Sequence, residues 1–333
     1  MSGDGESPSS PGGGAGADAI DPARIRTVPL SRRVNKVSAS EFARPPASEH
    51  DFGAFLDSLP HILEARSFLS VVDALADAAL NRRAVVCMLG GHVVKTGLAP
   101  VLIDLARRGV ITHFASNGAA VIHDYEVARW GGTSEDVEAG LANGTFGMAE
   151  ETGREMNEAI CRGHAGSQGL GECLADALAG AESLAYPELS LLLAARELGI
   201  GFTVHAALGA EITHQHPAAD GAAIGATSLT DFRRLAGHLR NLEDGVVLNI
   251  GSAVIMPEVF LKALTVCRNV HDGVPGRFVS ADFDMIRHYR PRVNVVERPT
   301  RTGGGRGYQI TGHHEIMIPL LAWAVAQRLE RRA

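Results

Sequence analysis

Three times in this chain a short apolar run ends in small residues and gives way to a helical pattern. That recurrence constrains the fold more than any other feature. Ala84 to Leu89 ends in Gly90-Gly91, Val110 to Ala115 runs into Ser116-Asn117-Gly118-Ala119-Ala120, and Val246 to Ile250 closes on Gly251-Ser252-Ala253. Leu98, Val101, Leu102 and Leu105 mark a helix between the first two runs, stopped by Gly109. Strands that alternate with helices must pair in parallel through right-handed crossovers. The expected fold is therefore an α/β, Rossmann-like parallel sheet with helices on both faces.

The remaining pattern extends this scheme. Phe55 to Leu63 and Leu69 to Leu80 read as helices, as do Leu141 to Leu184, with glycine interruptions, and Leu189 to Leu198. Gly201 to His205 reads as a strand, and Thr230 as the cap of a helix carrying Phe232, Leu235, Leu239 and Leu242. Pro257 suits a first helical turn. Phe278 to Ala281 and Val293 to Val296 read as late strands, and a last helix is expected to begin near Pro319. Residues 1–20 are rich in Gly, Ser and Pro and are expected to be disordered, with no apolar core of a secretory signal. Residues 21–50 read as an extended arm and 51–333 as one α/β domain.

Composition excludes several function classes. The chain has 31 basic and 38 acidic residues, a net charge of −7 and no long run of either sign, so no surface for nucleic acid or anionic lipid is expected. The apolar stretch from Ile316 to Ala326 is too short to span a bilayer. Cys87, Cys161, Cys173 and Cys267 form no C-x-x-C pair and read as reduced thiols of a cytoplasmic protein.

In a parallel sheet the chemistry gathers at the carboxyl ends of the strands, where backbone N–H groups and helix N-termini favour phosphates. The three small-residue turns are thus candidate nucleotide contacts: Gly90, Gly91 and His92; Ser116, Asn117, Gly118 and Ala119; Gly251 and Ser252. None is a G-x-G-x-x-G, and a tight strand-to-helix turn also needs glycine for steric reasons alone.

The segment Leu89-Gly90-Gly91-His92-Val93-Val94-Lys95-Thr96-Gly97, followed by Asp104 to Gly109 and then Ser116-Asn117-Gly118-Ala119-Ala120-Val121-Ile122-His123-Asp124, resembles the deoxyhypusine synthase family, nearest its bacterial and homospermidine-synthase-like branches. The resemblance covers roughly residues 83–327. It implies an NAD-binding Rossmann-like domain, a homotetramer with sites between subunits, and hydride removal from an amine carbon with transfer of the aminoalkyl group. Two family features do not carry over. The lysine of its Glu-Ala-x-Ser-Trp-Gly-Lys segment is missing, since no lysine follows Lys262 and Arg298 to Gly307 stands there as a basic glycine loop. Its Pro-Ala-Leu-x-Asp is here Ala206 to Ala210, without the acid.

Candidate side chains follow from both lines of argument. His123 and Asp124, just past the second turn, suit acid–base work or a ribose contact; a surface or capping pair is the plainer reading. His313 and His314, before the last helix, are further catalytic candidates. Glu211, Arg301 and Arg306 are candidate substrate contacts, the arginines as a clamp for phosphate or carboxylate. Lys95 could meet a phosphate, serve as an amine nucleophile or lie in water. His214 and His216, near His205, could ligate zinc or another divalent metal. The leading expectation is NAD-dependent oxidation of a small amine or polyamine-like substrate, or aminoalkyl transfer from it. The alternatives are a metal-dependent hydrolase built on His205, His214, His216 and His313, and a non-catalytic nucleotide-binding oligomer.

Overall fold

A computed structural model of the protein describes residues 22–29, 32–33, 38–45 and 51–332. The expected disorder of residues 1–20 falls outside the described residues. The chain divides into two units, Met1–Glu41 and Phe42–Ala333. Among its described residues the first carries two 3-10 turns, Pro22–Arg24 and Ala39–Glu41.

The second unit opens with α1 (Phe52–Ser58) and α2 (Leu63–Leu80), then alternates. In order come β1 (Val85–Leu89), α3 (Gly91–Lys95), α4 (Ala99–Arg107), β2 (His113–Asn117) and α5 (Gly118–Trp130). Four helices follow: α6 (Val137–Asn143), α7 (Glu150–Ala165), α8 (Leu170–Ala179) and α9 (Leu191–Leu198). The rest runs β3 (Gly201–His205), α10 (Gly221–His238), β4 (Val246–Ile250), α11 (Ile255–Val270), β5 (Val279–Asp284), β6 (Arg306–Thr311) and α12 (His314–Arg332).

All six strands are parallel, in the order β3-β2-β1-β4-β5-β6. That is the doubly wound Rossmann order, in which the chain reverses direction across the sheet between β1 and β4. The period of two sends alternate residues to opposite faces. Val85, Cys87, Leu89, Leu248 and Ile250 pack with α2, α4, α9 and α12. Val86, Met88, Ala115 and Val247 pack with α10 and α11. A third apolar cluster joins α5, α7 and α8 beside β3.

Local signals set several boundaries. The side chains of Asp51, Asp136, Ser190 and Asp220 accept hydrogen bonds from the first-turn N–H groups of α1, α6, α9 and α10. Gly199, with φ +64°, ends α9 in the left-handed conformation that glycine adopts without strain.

The expected secondary structure needs four corrections. Thr230 is not a cap but lies inside α10, its hydroxyl bonded back to the Ala226 carbonyl at 3.0 Å. Val293 to Val296 is not a strand: it belongs to a π-helix, Pro291–Glu297, whose Val295 carbonyl accepts from Ser280 Oγ at 2.7 Å. An apolar run of four does not distinguish a buried strand from a buried helical turn. The last helix starts at His314, with Pro319 inside it. The end of the arginine–glycine segment, read as loop, forms the edge strand β6.

Candidate functional site

The helices that leave β1 and β2 meet over the carboxyl edge of the sheet. Gly91 of α3 approaches Ala119 of α5 so closely that a Cβ on it would lie 3.2 Å from the alanine methyl. Beside this contact is a cavity of about 310 Å³. Its polar lining comprises Lys95, His123, Glu126, Ser134, Glu135 and Glu211, and Ile122, Phe146 and Ile212 are among its apolar walls.

His123 is the best oriented of these groups. Its Nδ1 lies 2.7 Å from Thr133 Oγ1, and that hydroxyl donates to Glu126 Oε2. A hydroxyl has one proton and here gives it to a carboxylate, so the imidazole must donate from Nδ1. The neutral ring then carries its lone pair on Nε2. Thr152 Oγ1 donates to the other oxygen of Glu126 at 3.0 Å and fixes the carboxylate. Burial, and next the charge of Lys95, hold His123 below its ordinary pKa. Thr133, Glu126 and Thr152 were not singled out in the sequence; Glu126 follows His123 by three residues on α5, a helical neighbour spacing that could have pointed to it.

Asp124, next in sequence, points elsewhere, since neighbouring helical residues do not share a face. Its carboxylate is buried and accepts from Ser190 Oγ at 2.7 Å and from the N–H groups of Leu191 and Leu192 at 2.6 and 3.3 Å. Asp124 thus caps α9, and burial raises its pKa to about 6 against the pull of these donors.

Glu211 occupies the start of α5. Its Oε1 accepts from Gly118 N and Ala207 N, both at 2.9 Å, and burial raises its pKa against them. A Cβ on Gly118 would fall inside this carboxylate, so the glycine admits Glu211 and not an external phosphate. His214 Nε2 lies 3.5 Å from the free oxygen, and its Nδ1 accepts from Gly209 N at 3.2 Å.

A second group of candidates gathers where the turns that follow β1 and β4 meet. Gly90 packs on the backbone of Gly251, and a Cβ on Gly251, at φ +66°, would stand 2.9 Å from His314 Cε1. His314 is buried and donates from Nε2 to the Phe283 carbonyl at 3.1 Å, which leaves Nδ1 a buried acceptor without a partner. The His92 and His314 rings are 5.6 Å apart. Ser252 Oγ accepts from Met256 N at 3.2 Å. His313 is exposed and turns towards Glu315, 3.6 Å away, apart from His314.

Whether NAD fits is answered by the buried polar atoms. Among the described residues, Ser116 Oγ, Asn117 Oδ1, Asn249 Oδ1 and His314 Nδ1 are buried at the carboxyl edge with no hydrogen-bond partner. Buried polar groups are rarely left unpaired without a water, ion or ligand to serve them. These atoms, with the bare turn at Gly90-Gly91, suit a polar ligand lying across the β1–β4 reversal.

The structure separates other candidates from this edge. Arg306 begins β6 opposite Val279, the first residue of β5, and so lies at the amino end of the sheet. Six residues of strand put it roughly 17 Å from the carboxyl edge. Arg301 precedes it in the same loop, whose Gly303 rests on Gly276 just before β5. Neither arginine lines the His123 cavity. The expected metal ligands have other partners. His216 is held by Glu150 Oε2 at 3.2 Å and Ala218 N at 3.1 Å, and His205 by Thr203 Oγ1 at 3.3 Å. Among the described residues no three His, Cys, Asp or Glu side chains converge as a metal requires.

No family model and no curated protein matches the chain. Solved structures do. AgrE, crystallised as a ternary complex with ornithine and NAD+, matches at TM-score 0.50 and 15% identity over 82% of this chain and 35% of that one. ArgZ, an arginine dihydrolase from the ornithine–ammonia cycle in cyanobacteria, matches at TM-score 0.47 and 14% identity over 81% and 34%. A provisionally named deoxyhypusine synthase from Entamoeba histolytica matches at 0.49 and 9% over 85% and 95%. The chain thus spans about a third of the AgrE and ArgZ chains. The AgrE likeness is one of fold: the doubly wound Rossmann-like sheet. Among the described residues no helix is long and apolar enough to cross a membrane.

Proposed function

We propose that the chain is an NAD-linked enzyme of amine metabolism in which His123 is the base. The observation that carries this reading is the His123–Thr133–Glu126 chain, which leaves Nε2 unprotonated in a cavity that Glu126, Glu135 and Glu211 make acidic. Such a cavity favours a substrate ammonium. An ammonium has no lone pair, so a carbon beside it cannot lose hydride until a base removes a proton. His123 Nε2 takes that proton. The imidazolium formed is stabilised through Nδ1–H by Thr133 and the Glu126 carboxylate. NAD+, when bound across the β1–β4 turns near Ser116, Asn117 and His314, supplies the hydride acceptor. The carbon–nitrogen bond then becomes an iminium, which water or an acceptor amine can take up.

The fold likeness to a protein seen with NAD+ and ornithine supports amino-group chemistry of this kind. Lys95 at the cavity wall and Glu211, bonded to the first N–H of α5, are the proposed substrate contacts, and the tetramer implied by the family resemblance belongs to the same proposal. The experiment is a screen of diamines, polyamines and basic amino acids for NADH formation, beside His123→Gln. NADH produced by the wild type and reduced at least a hundredfold in the variant would support the reading. NAD+ binding with no turnover of any amine would favour the non-catalytic alternative.

A further inference from the structure

We propose a second ligand site at the amino ends of β1, β4, β5 and β6, built for a small molecule that carries two or more phosphates. It lies at the opposite end of the sheet from the His123 cavity and does not depend on the reading given for that cavity.

A groove of about 700 Å³ runs between α2 and these strand ends, within the usual size range of small-molecule sites. Its carboxylates are already neutralised. Asp73 is bound by Arg328 at 2.9 Å and Arg332 at 2.7 Å, and Asp77 by Arg332 at 2.6 Å. Asp244 takes two bonds from Arg277, at 2.5 and 3.0 Å. Two further arginines line the groove, Arg83 ahead of β1 and Arg306 at the start of β6. Neither guanidinium has a hydrogen-bond or salt-bridge partner among the described residues. The unspent charge of the groove is therefore positive, on a chain whose net charge is −7. Arg277 above all, and Arg83 in addition, hold Asp244 below the usual carboxylate range, so the three groups are neighbours.

Geometry sets the ligand class. Arg83, two residues before β1, and Arg306, the first residue of β6, belong to strand ends three spacings apart, roughly 14 Å across the sheet. One small anion would satisfy one of them; a chain of phosphates can engage both, each guanidinium offering paired donors. Tyr308, two residues beyond Arg306, also lines the groove. The glycine loop is a fixed corner of this site, because Gly303, at φ +83°, packs on the Gly276 backbone.

Calorimetry on the full chain at low salt, with pyrophosphate and ATP as probes, tests the assignment. One saturable site that weakens with salt is expected. Arg83→Glu and Arg306→Glu should each cost at least about tenfold in affinity, the scale of one lost charge-assisted bond. Asp244→Asn should tighten binding, since it frees Arg277. A misfolded variant would not gain affinity, and asparagine tolerates the left-handed backbone at this position, φ +60°. His123→Gln should leave the affinity unchanged. Equal affinity for both probes would point to recognition of the phosphate chain alone, and tighter ATP binding to a nucleotide. No saturable binding of either probe, or binding that survives both arginine reversals, would overturn the proposal.

Discussion

A histidine whose Nδ1 must donate has one neutral tautomer, and for His123 that tautomer is measurable. Nitrogen-15 NMR of the histidine side chains should show His123 as the Nδ1–H tautomer, titrating below 6.5 because burial and Lys95 disfavour its cation. Thr133→Val should populate the other tautomer and lower turnover with little effect on melting. An unchanged tautomer in that variant would remove Thr133 from the site. The second test concerns Ser116, whose buried hydroxyl has no partner. Deleting an unpaired polar group costs little, so Ser116→Ala should be as stable as the wild type or more stable, by up to about 1–2 kcal/mol. The same variant should bind NAD+ more weakly. A loss of stability by denaturant titration would mean that the hydroxyl serves the fold.

Elements explain what was legible in the sequence. Strands β1, β2 and β4 were readable because each is a short, buried run closed by a turn, the pattern of parallel strands in a covered sheet, and the edge strand β3 because its last three residues keep that pattern. The π-helix and β6 were not. The first is apolar like a strand, and the second is an edge strand whose Arg306 and Gly307 face solvent. In the site, His123 was marked by its motif, whereas Thr133 meets His123 and Thr152 meets Glu126 only on folding.

Buried Asp231 accepts from Val204 N and Gly171 N, both at 2.8 Å, so it ties the outer side of β3 to the start of α8. Burial raises its pKa to about 7 despite these donors. The folded state therefore prefers the protonated acid, and stability from this group is full below pH 3.8 and lost as pH rises through about 7. Asp231→Asn should remove a pH-dependent contribution on the order of 2–4 kcal/mol. Urea titrations at pH 5 and pH 8 should show a smaller difference in the variant than in the wild type. His205 acts in the other direction, its pKa driven to about 4 by burial. Its contribution is full above 6.5 and lost as pH falls through 4, so His205→Gln should soften acid unfolding between those values.

At the scale of the whole molecule, the sheet has two ends with different chemistry. The carboxyl end gathers an oriented histidine, an acidic cavity and unpaired polar atoms around the β1–β4 reversal. The amino end gathers arginines. The sequence alone did not separate them, because the arginine–glycine loop lies next in the chain to His313 and His314 while β6 carries those histidines to the far edge. The carboxyl end is expected to bind NAD+. Calorimetric titration with NAD+ is run on chains carrying Arg83→Glu and Arg306→Glu, which silence the amino-end groove, with and without Ser116→Ala or Asn117→Ala. One saturable site is expected in the parent chain, weakened at least about fivefold by each carboxyl-end substitution while the melting temperatures hold. No saturable binding at millimolar NAD+, or equal affinity in all three proteins, would contradict it.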